Sequence, residues 1–516
     1  MSFPDVSARA KFSLLNEFVR SRISWFWFLA VFFMYLSFSP LAISGMGYMG
    51  ENLEAAQQIA SKILHLFDGQ TLSHINWPRH GAVEMIVEVP LLLVQNLLLG
   101  ESSYLADRII SLQPVLLTSL MSVIVLQWSR RLTGSLKLAI AIAFSASFAT
   151  MLWPYAYIGL ETTQSLFVLL AGFLALDYEK PVTWRRTLAL GLVAGIAASA
   201  KSNGFFLLPA LGFLIAAYFW RDWQDIPAII GALKKEWAKA LVLSAIVLAF
   251  YWLGSYSRTI YWSQHGSLLS YVYRNVLIES PLTFLMNLWA QFFSRNKGLI
   301  FFAPLAVAGL LASRRAFRNA PQLVYFSWLV LGGSACSLSL LVPWQDEVWG
   351  PRYLHTTVAP LVLCLAAALR GISLNRRQKT VLFAAAAFGL AVSFLGSMFY
   401  YGSLHIAAKA TGNATLEHLL DDSRFNHPRF NLKLFHSRVL SADEQWPQPE
   451  RWWFDKPPDA PPVRSVNLRD YAEPQPLIFA STKAPRLANI LKLSLLAGVS
   501  LLGLVCWVGT RQKERP

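Results

Sequence analysis

Apolar runs of roughly twenty residues recur along the whole chain, each about the length an α-helix needs to cross the hydrocarbon core of a bilayer. In lipid, every backbone N–H and C=O has to be satisfied within its own segment, so such runs fold as helices packed into a bundle. Of the 516 residues, 55% are hydrophobic and only 14% charged, a balance too evenly apolar for a soluble multidomain protein. The expected fold is an all-α polytopic membrane protein of about twelve transmembrane helices. The expected spans run from Ile23 to Ile43, Leu105 to Gln127, Leu136 to Trp153, Leu160 to Leu176, Thr187 to Ala200, Gly204 to Trp220, Lys239 to Ser255, Gly298 to Ala312, Leu323 to Leu341, Leu354 to Leu369, Val381 to Tyr400 and Leu487 to Val508. A very tight turn joins the fifth to the sixth.

The formal charge of +16 would point to nucleic acid in a soluble protein. Here the cations fall in alternate loops, as the positive-inside rule requires, so they mark topology and no nucleic-acid partner is expected. Arg9, Lys11, Arg20 and Arg22 precede the first run, and later clusters include Arg130/Arg131, Arg185/Arg186, Arg314/Arg315/Arg318, Arg370/Arg376/Arg377 and Arg511/Lys513/Arg515. Both termini are then expected in the cytoplasm, with an even number of spans. The first run reads as a retained signal anchor, since cleavage after Ser44 leaves an odd number. Cys336, Cys364 and Cys506 lie inside expected spans without a CxxC spacing, so neither a disulfide framework nor a thiolate metal site is encoded.

Three segments on the expected outer side are too long to be simple turns: Gly45 to Tyr104, Tyr256 to Lys297, and Tyr401 to Arg486. They divide the chain into a transmembrane module over 1–400 with its first outer loop at 45–104, a loop-rich outer segment over 401–486, and a last span and tail over 487–516. In the first loop, Leu53, Ala56, Ile59, Ile63 and Phe67 recur at helical spacing, which predicts an amphipathic helix on the membrane surface. The run from Val83 to Leu99 carries Glu84, Glu88, Pro90 and Gln95, a poor span and a good interfacial or re-entrant helix. The segment over 401–486, rich in Pro, Asp, Arg and aromatics such as Trp446, Trp452 and Trp453, shows little periodicity. Those tryptophans read by default as interfacial anchors.

Several short motifs follow one another in order. An acid, Glu51, stands in GYMGEN just after the first run; His80-Gly81 precedes the next helix in WPRHGAVEMIVEVP; YAYIGLE ends at Glu161; AKSNGFFLLP contains Lys201; RNKGLIFFAPL contains Arg295 and Lys297; and WGPRYL contains Arg352. In order and sidedness they resemble the type-C glycosyltransferase superfamily, in particular the bacterial branch related to polyprenyl-phosphate-mannose protein mannosyltransferases and the aminoarabinose transferase of lipid A. The resemblance covers the chain from Ile23 to about Leu369. One departure is clear: the acidic motif of the family usually has a second acid and then a Tyr, where Asn52 and Ala55 stand here.

The resemblance implies an enzyme of the bacterial inner membrane. It would move a sugar from a polyprenyl-phosphate-linked donor to a hydroxyl of a glycan, lipid or protein acceptor outside the cytoplasm. A phosphate leaving group needs no proton, unlike the alkoxide expelled in glycoside hydrolysis. One base and a set of cations are enough, and no cofactor or metal is expected. Glu51 is the first candidate for the base, with Glu54 in reserve three residues on; the bland reading of Glu51 is an acid favoured near a helix N-terminus. For the departing phosphate the candidates are Arg352, Lys201, Arg79, His80, Arg295 and Lys297, cations on the side that short loops should avoid, with the histidine beside them. Arg352 can chelate phosphate through two parallel hydrogen bonds, or merely pair with Asp346 or Glu347. Lys201 and Lys297 can instead snorkel to the headgroup layer. Glu161, by resemblance, orients the acceptor or the catalytic helix; the alternative is an ion pair with one of these cations. His80 and Glu84 have the i, i+4 spacing of helical metal ligands, but two ligands do not make a site. A lipid-linked-saccharide flippase should carry charged or broken helices at the bilayer midplane, whereas these runs are nearly free of charge in their middles. A non-catalytic subunit that kept the fold is the other alternative.

Overall fold

The computed structural model describes residues 22–39, 47–64, 82–99, 112–159, 161–177, 181–219, 226–265, 280–340, 349–399, 404, 426–436 and 485–511. Regular structure among them is helical. The N-terminal part comprises α1 (Arg22–Phe38), α2 (Gly47–Leu64), α3 (Ala82–Leu99), α4 (Leu112–Thr133), α5 (Leu136–Phe148), α6 (Leu152–Ile158) and α7 (Thr162–Ala175). Next come α8 (Trp184–Ser199), a 3-10 turn over Ser202–Leu207, α9 (Leu208–Phe219), α10 (Ile226–His265) and α11 (Pro281–Phe293). Then follow α12 (Leu299–Phe302), α13 (Pro304–Leu311), α14 (Ser313–Asn319), α15 (Pro321–Ser339), α16 (His355–Ala368), α17 (Arg376–Met398), α18 (His427–Phe435) and α19 (Pro485–Arg511).

The helix α16 is the axis of the bundle. All its residues are buried, against α4, α5, α7, α13, α14 and α15. Around that axis α8 pairs with α10, and α1 with α19. Polar side chains stitch α1 to its neighbours: Trp27 Nε1 donates to Ser122 Oγ at 2.7 Å, Ser122 and Ser147 share a hydrogen bond of 2.6 Å, and Tyr35 donates to the Ser147 carbonyl at 2.8 Å. Interhelical bonds of this kind hold helices together where lipid removes the hydrophobic drive between them.

The outer surface of the bundle is what a membrane solvent selects. In α11, Leu282, Leu285, Met286, Trp289 and Phe293 are exposed, while Asn287 and Gln291 face inward and donate to Ser339 and Ala335 of α15. An apolar face outside and a polar face inside invert the arrangement of a water-soluble helix. Four helices are long and apolar enough to cross a membrane by length and composition: Leu112–Thr133, Glu236–Tyr261, Arg376–Met398 and Asn489–Val508. Five further expected spans correspond to shorter apolar helices, Arg22–Phe38, Leu136–Phe148, Thr162–Ala175, Asn203–Phe219 and Arg352–Ala368.

The helices add detail that the apolar runs do not show. The run from Gly298 to Ala312 is broken into α12 and α13 at Ala303, which has φ −150° and ψ 62°, because Pro304 disfavours helical backbone in the residue before it. The segment from Tyr256 to Lys297 is less a loop than helix: α10 continues to His265, and α11 fills most of its second half. In the segment over 401–486, residues 427–435 form α18, capped by Asn426, whose side chain accepts from Arg429 N at 2.9 Å, with Pro428 in its first turn. In the first outer loop, part of the helical stripe packs on the neighbouring helix. Ala55, Ala56 and Ala60 of α2 bury against Val89 and Leu92 of α3, with Ile59 packed beside them, while Ile63 is exposed.

Candidate functional site

At one end of α16 three ionised side chains are brought together from distant parts of the chain. Glu161 is the N-cap of α7 and is fully buried. Lys201 closes the tight turn after α8, and its Nζ lies 2.6 Å from Glu161 Oε1. Arg352 opens the 3-10 turn Arg352–Leu354 that leads into α16, and its Nε lies 3.1 Å from the same oxygen. Lys201 is only 7% exposed and Arg352 5%. One carboxylate oxygen thus serves two cations. The other oxygen, Glu161 Oε2, is buried and accepts no hydrogen bond from a described residue.

Local sequence explains how each member is held. The Gly159 C-cap of α6, at φ +75°, turns the chain so that Glu161 starts α7. Gly204 follows Lys201 at a point where a Cβ would collide with the Ala198 carbonyl, so the turn closes tightly on the end of α8. In WGPRYL, Gly350 has φ +62°, and a Cβ there would meet Phe302 at 2.7 Å. Glycine is required on both counts. Trp349 is buried between Phe302 of α12 and the His427 ring of α18, with centroids at 5.4 and 5.7 Å, and its carbonyl accepts from Tyr155 at 2.9 Å. The guanidinium of Arg352 lies over the Tyr353 ring at 4.5 Å and donates to its hydroxyl at 2.9 Å.

A second clip lies one turn deeper. Ser165 Oγ and His355 Nδ1 share a hydrogen bond of 2.6 Å, and the His355 ring packs against Tyr155 at 4.7 Å. The ends of α7 and α16 are therefore joined twice, once by charge and once by a neutral bond. Arg258 of α10, 8% exposed, donates to the Ser199 carbonyl at 3.4 Å and to Ser255 Oγ at 3.2 Å, which puts a further buried cation beside the Lys201 turn.

Of the residues singled out from sequence, Glu161, Lys201 and Arg352 converge. Lys297 is buried in the turn before α12, the helix whose Phe302 supports Trp349, and so belongs to the same end. Arg295 does not join the buried group: its side chain is exposed, and its carbonyl accepts from Asn426 Nδ2 at 2.6 Å. The backbone of Glu51 and Glu54 lies in α2, but their side chains, with Arg79 and His80, lie outside the described residues. Asp346 and Glu347, named as partners of Arg352, also lie outside them, and Glu161 is the partner observed. Sequence reasoning passed over His355 and Arg258. Arg258 sits in an outer segment just past an expected span, the same signal that drew attention to Lys297. His355 is a polar residue in the first turn of an apolar helix, three positions after Arg352. Among the described residues no group of three or more His, Cys, Asp or Glu is placed to hold a metal.

No family model matches the sequence, and no curated protein matches it. Among solved structures, the chain is similar to the crystal structure of ArnT from Cupriavidus metallidurans bound to undecaprenyl phosphate, at 14% identity and a TM-score of 0.45, over 95% of this chain and 79% of that one.

Proposed function

We propose that the chain is a membrane glycosyltransferase that moves a sugar from a polyprenyl-phosphate-linked donor to an acceptor hydroxyl on the extracytoplasmic side of the bacterial cell membrane. The observation that carries this reading is the convergence of two buried cations, Lys201 and Arg352, on the single carboxylate of Glu161. Buried ion groups are seldom the most stable way to fill a bundle, because desolvation offsets much of their attraction. A group with two cations for one carboxylate is better suited to a phosphate ester, whose negative charge grows as the glycosidic bond breaks. Fixed cations in a water-poor site stabilise that growing charge without reorganising.

In this mechanism Lys201 and Arg352 receive the departing phosphate, with Lys297 and Arg258 adding positive potential at the same end. Glu161 positions the two cations through its Oε1. Ser165, His355 and Tyr155 keep the start of α16, and so Arg352, in register with α7. Glu51, with Glu54 in reserve, is left as the base that takes the proton of the attacking hydroxyl, a role worth about 10² to 10⁴ in rate. The sequence motifs shared with type-C glycosyltransferases support the same assignment. Transport through the bundle is less well supported: α7 and α16 carry no Asp, Glu, Lys or Arg between their ends.

The test is donor turnover by purified protein in nanodiscs, with labelled polyprenyl-phosphate sugars and a membrane extract as acceptor. Wild type should transfer label, Glu51→Gln should bind donor without transferring it, and Arg352→Gln should bind donor poorly. Donor lipid crossing the bilayer without any transfer would overturn the reading in favour of a flippase.

A further inference from the structure

The end of the bundle opposite Glu161 holds a second concentration of charge, and its cations divide into two kinds. Some have partners: Arg131 pairs with Asp177 at 3.1 Å, Lys239 with Glu236 at 2.5 Å, and Arg186 donates to the carbonyls of Leu174, Asp177 and Pro181. Four others do not. Arg314, Arg315, Arg318 and Arg370 line one cavity of about 420 Å³ with Leu311 and Asn319. No carboxylate lines this cavity, and none of the four arginines has an acid within 4 Å among the described residues.

The cavity is a built feature and not a chance gathering of loop cations. Its floor is fixed where Asn319 Nδ2 donates to the Ala367 carbonyl at 2.8 Å, tying the end of α14 to the end of α16 just before Arg370. Its wall is fixed where Trp328 of α15 donates to Ser313 Oγ at 3.1 Å. Four like charges held around one space repel each other, and the partial negative charge at the ends of α13 and α16, about half a charge per helix, offsets only part of this. An anion with several oxygens completes the balance, and guanidinium groups match phosphate in bidentate geometry. The surroundings select which phosphate. Leu311 is 80% exposed and Phe317 42% exposed beside the arginines, so apolar surface that suits acyl chains adjoins the guanidinium groups.

We propose that this arginine-lined cavity binds the phosphate headgroup of an anionic membrane lipid in the leaflet opposite the Glu161 site. Juxtamembrane basic pockets act this way because a lipid brings its phosphate to them at high local concentration.

The test uses the full-length protein in detergent, titrated with phosphatidylglycerol, phosphatidylcholine or inorganic pyrophosphate, with bound molecules counted by native mass spectrometry. Wild type should take up phosphatidylglycerol in preference to phosphatidylcholine. The triple variant Arg314→Gln/Arg318→Gln/Arg370→Gln should weaken that binding about fivefold per arginine, on the order of a hundredfold together. Arg376→Gln/Arg377→Gln/Lys379→Gln removes as much charge from residues that do not line the cavity and should leave affinity within about twofold. If the glutamine variant does not fold, lysine at the same three positions keeps the charge and loses the bidentate geometry, and several-fold weaker binding is expected. Equal losses in the cavity and control variants would overturn the proposal. So would tight binding of pyrophosphate by a protein indifferent to phosphatidylglycerol, which would assign the cavity to a soluble phosphate compound.

Discussion

Glu161 is the residue on which the site turns. Replacing it with Gln leaves Lys201 and Arg352 buried without their carboxylate, and breaking such a group costs about 3–5 kcal/mol. The double variant Glu161→Gln/Lys201→Met removes one of the stranded charges and should lose less than the sum of the single variants by at least ~1 kcal/mol. Thermal denaturation in detergent reads this; additive losses would mean the ion contacts carry no coupling. Gly350→Ala should lower stability by about 1–3 kcal/mol through its positive φ, with a further loss from the Phe302 contact, and should weaken donor binding by displacing Arg352. Unchanged binding would show that the WGPRYL turn does not position that arginine. Sequence identified three members of the group because charge in an apolar chain stands out, and it offered the ion pair as the alternative role of Glu161. It did not pair Arg352 with Glu161, which is far away in sequence and is brought in by the packing of α7 on α16.

At the scale of elements, apolar length showed where helices run, and breaks and faces showed less well. The interruption at Ala303 was written in Pro304, yet the hydropathy of the run concealed it. In α11 the apolar and polar residues alternate at helical spacing, but sequence does not say which face looks inward; the hydrogen bonds of Asn287 and Gln291 to α15 decide it. Two variants separate the faces. Leu285→Asp on the exposed face should cut the yield of membrane-integrated protein, since a carboxylate facing acyl chains loses its hydration. Gln291→Leu on the buried face should insert normally and lose about 0.6 kcal/mol of stability with its interhelical bonds. Yields read from membrane fractions that rank the two the other way would contradict the lipid-facing assignment.

For the whole molecule, α7 and α16 each join one charged end to the other, with Glu161 and Arg352 at one and Asp177 and Arg370 at the other. By the positive-inside rule we propose that the arginine-rich end faces the cytoplasm and the Glu161 group the outside. A cysteine-free background with Arg295→Cys should react with a membrane-impermeant thiol reagent in intact cells, and Arg376→Cys only after lysis; the reverse pattern would invert the topology. That two charged ends exist was legible from the spacing of cations between apolar runs. That one end carries a buried ion group was not, because burial depends on three segments meeting at the head of α16.

The most direct measurement is equilibrium binding of labelled polyprenyl phosphate to the purified protein, comparing wild type with Lys201→Gln and Arg352→Gln. Each variant should bind at least about tenfold more weakly, the loss expected when one charge-assisted hydrogen bond worth about 1.5–3 kcal/mol is removed. Unchanged affinity in both would show that the Glu161 group does not hold the donor phosphate and would remove the basis of the proposed activity.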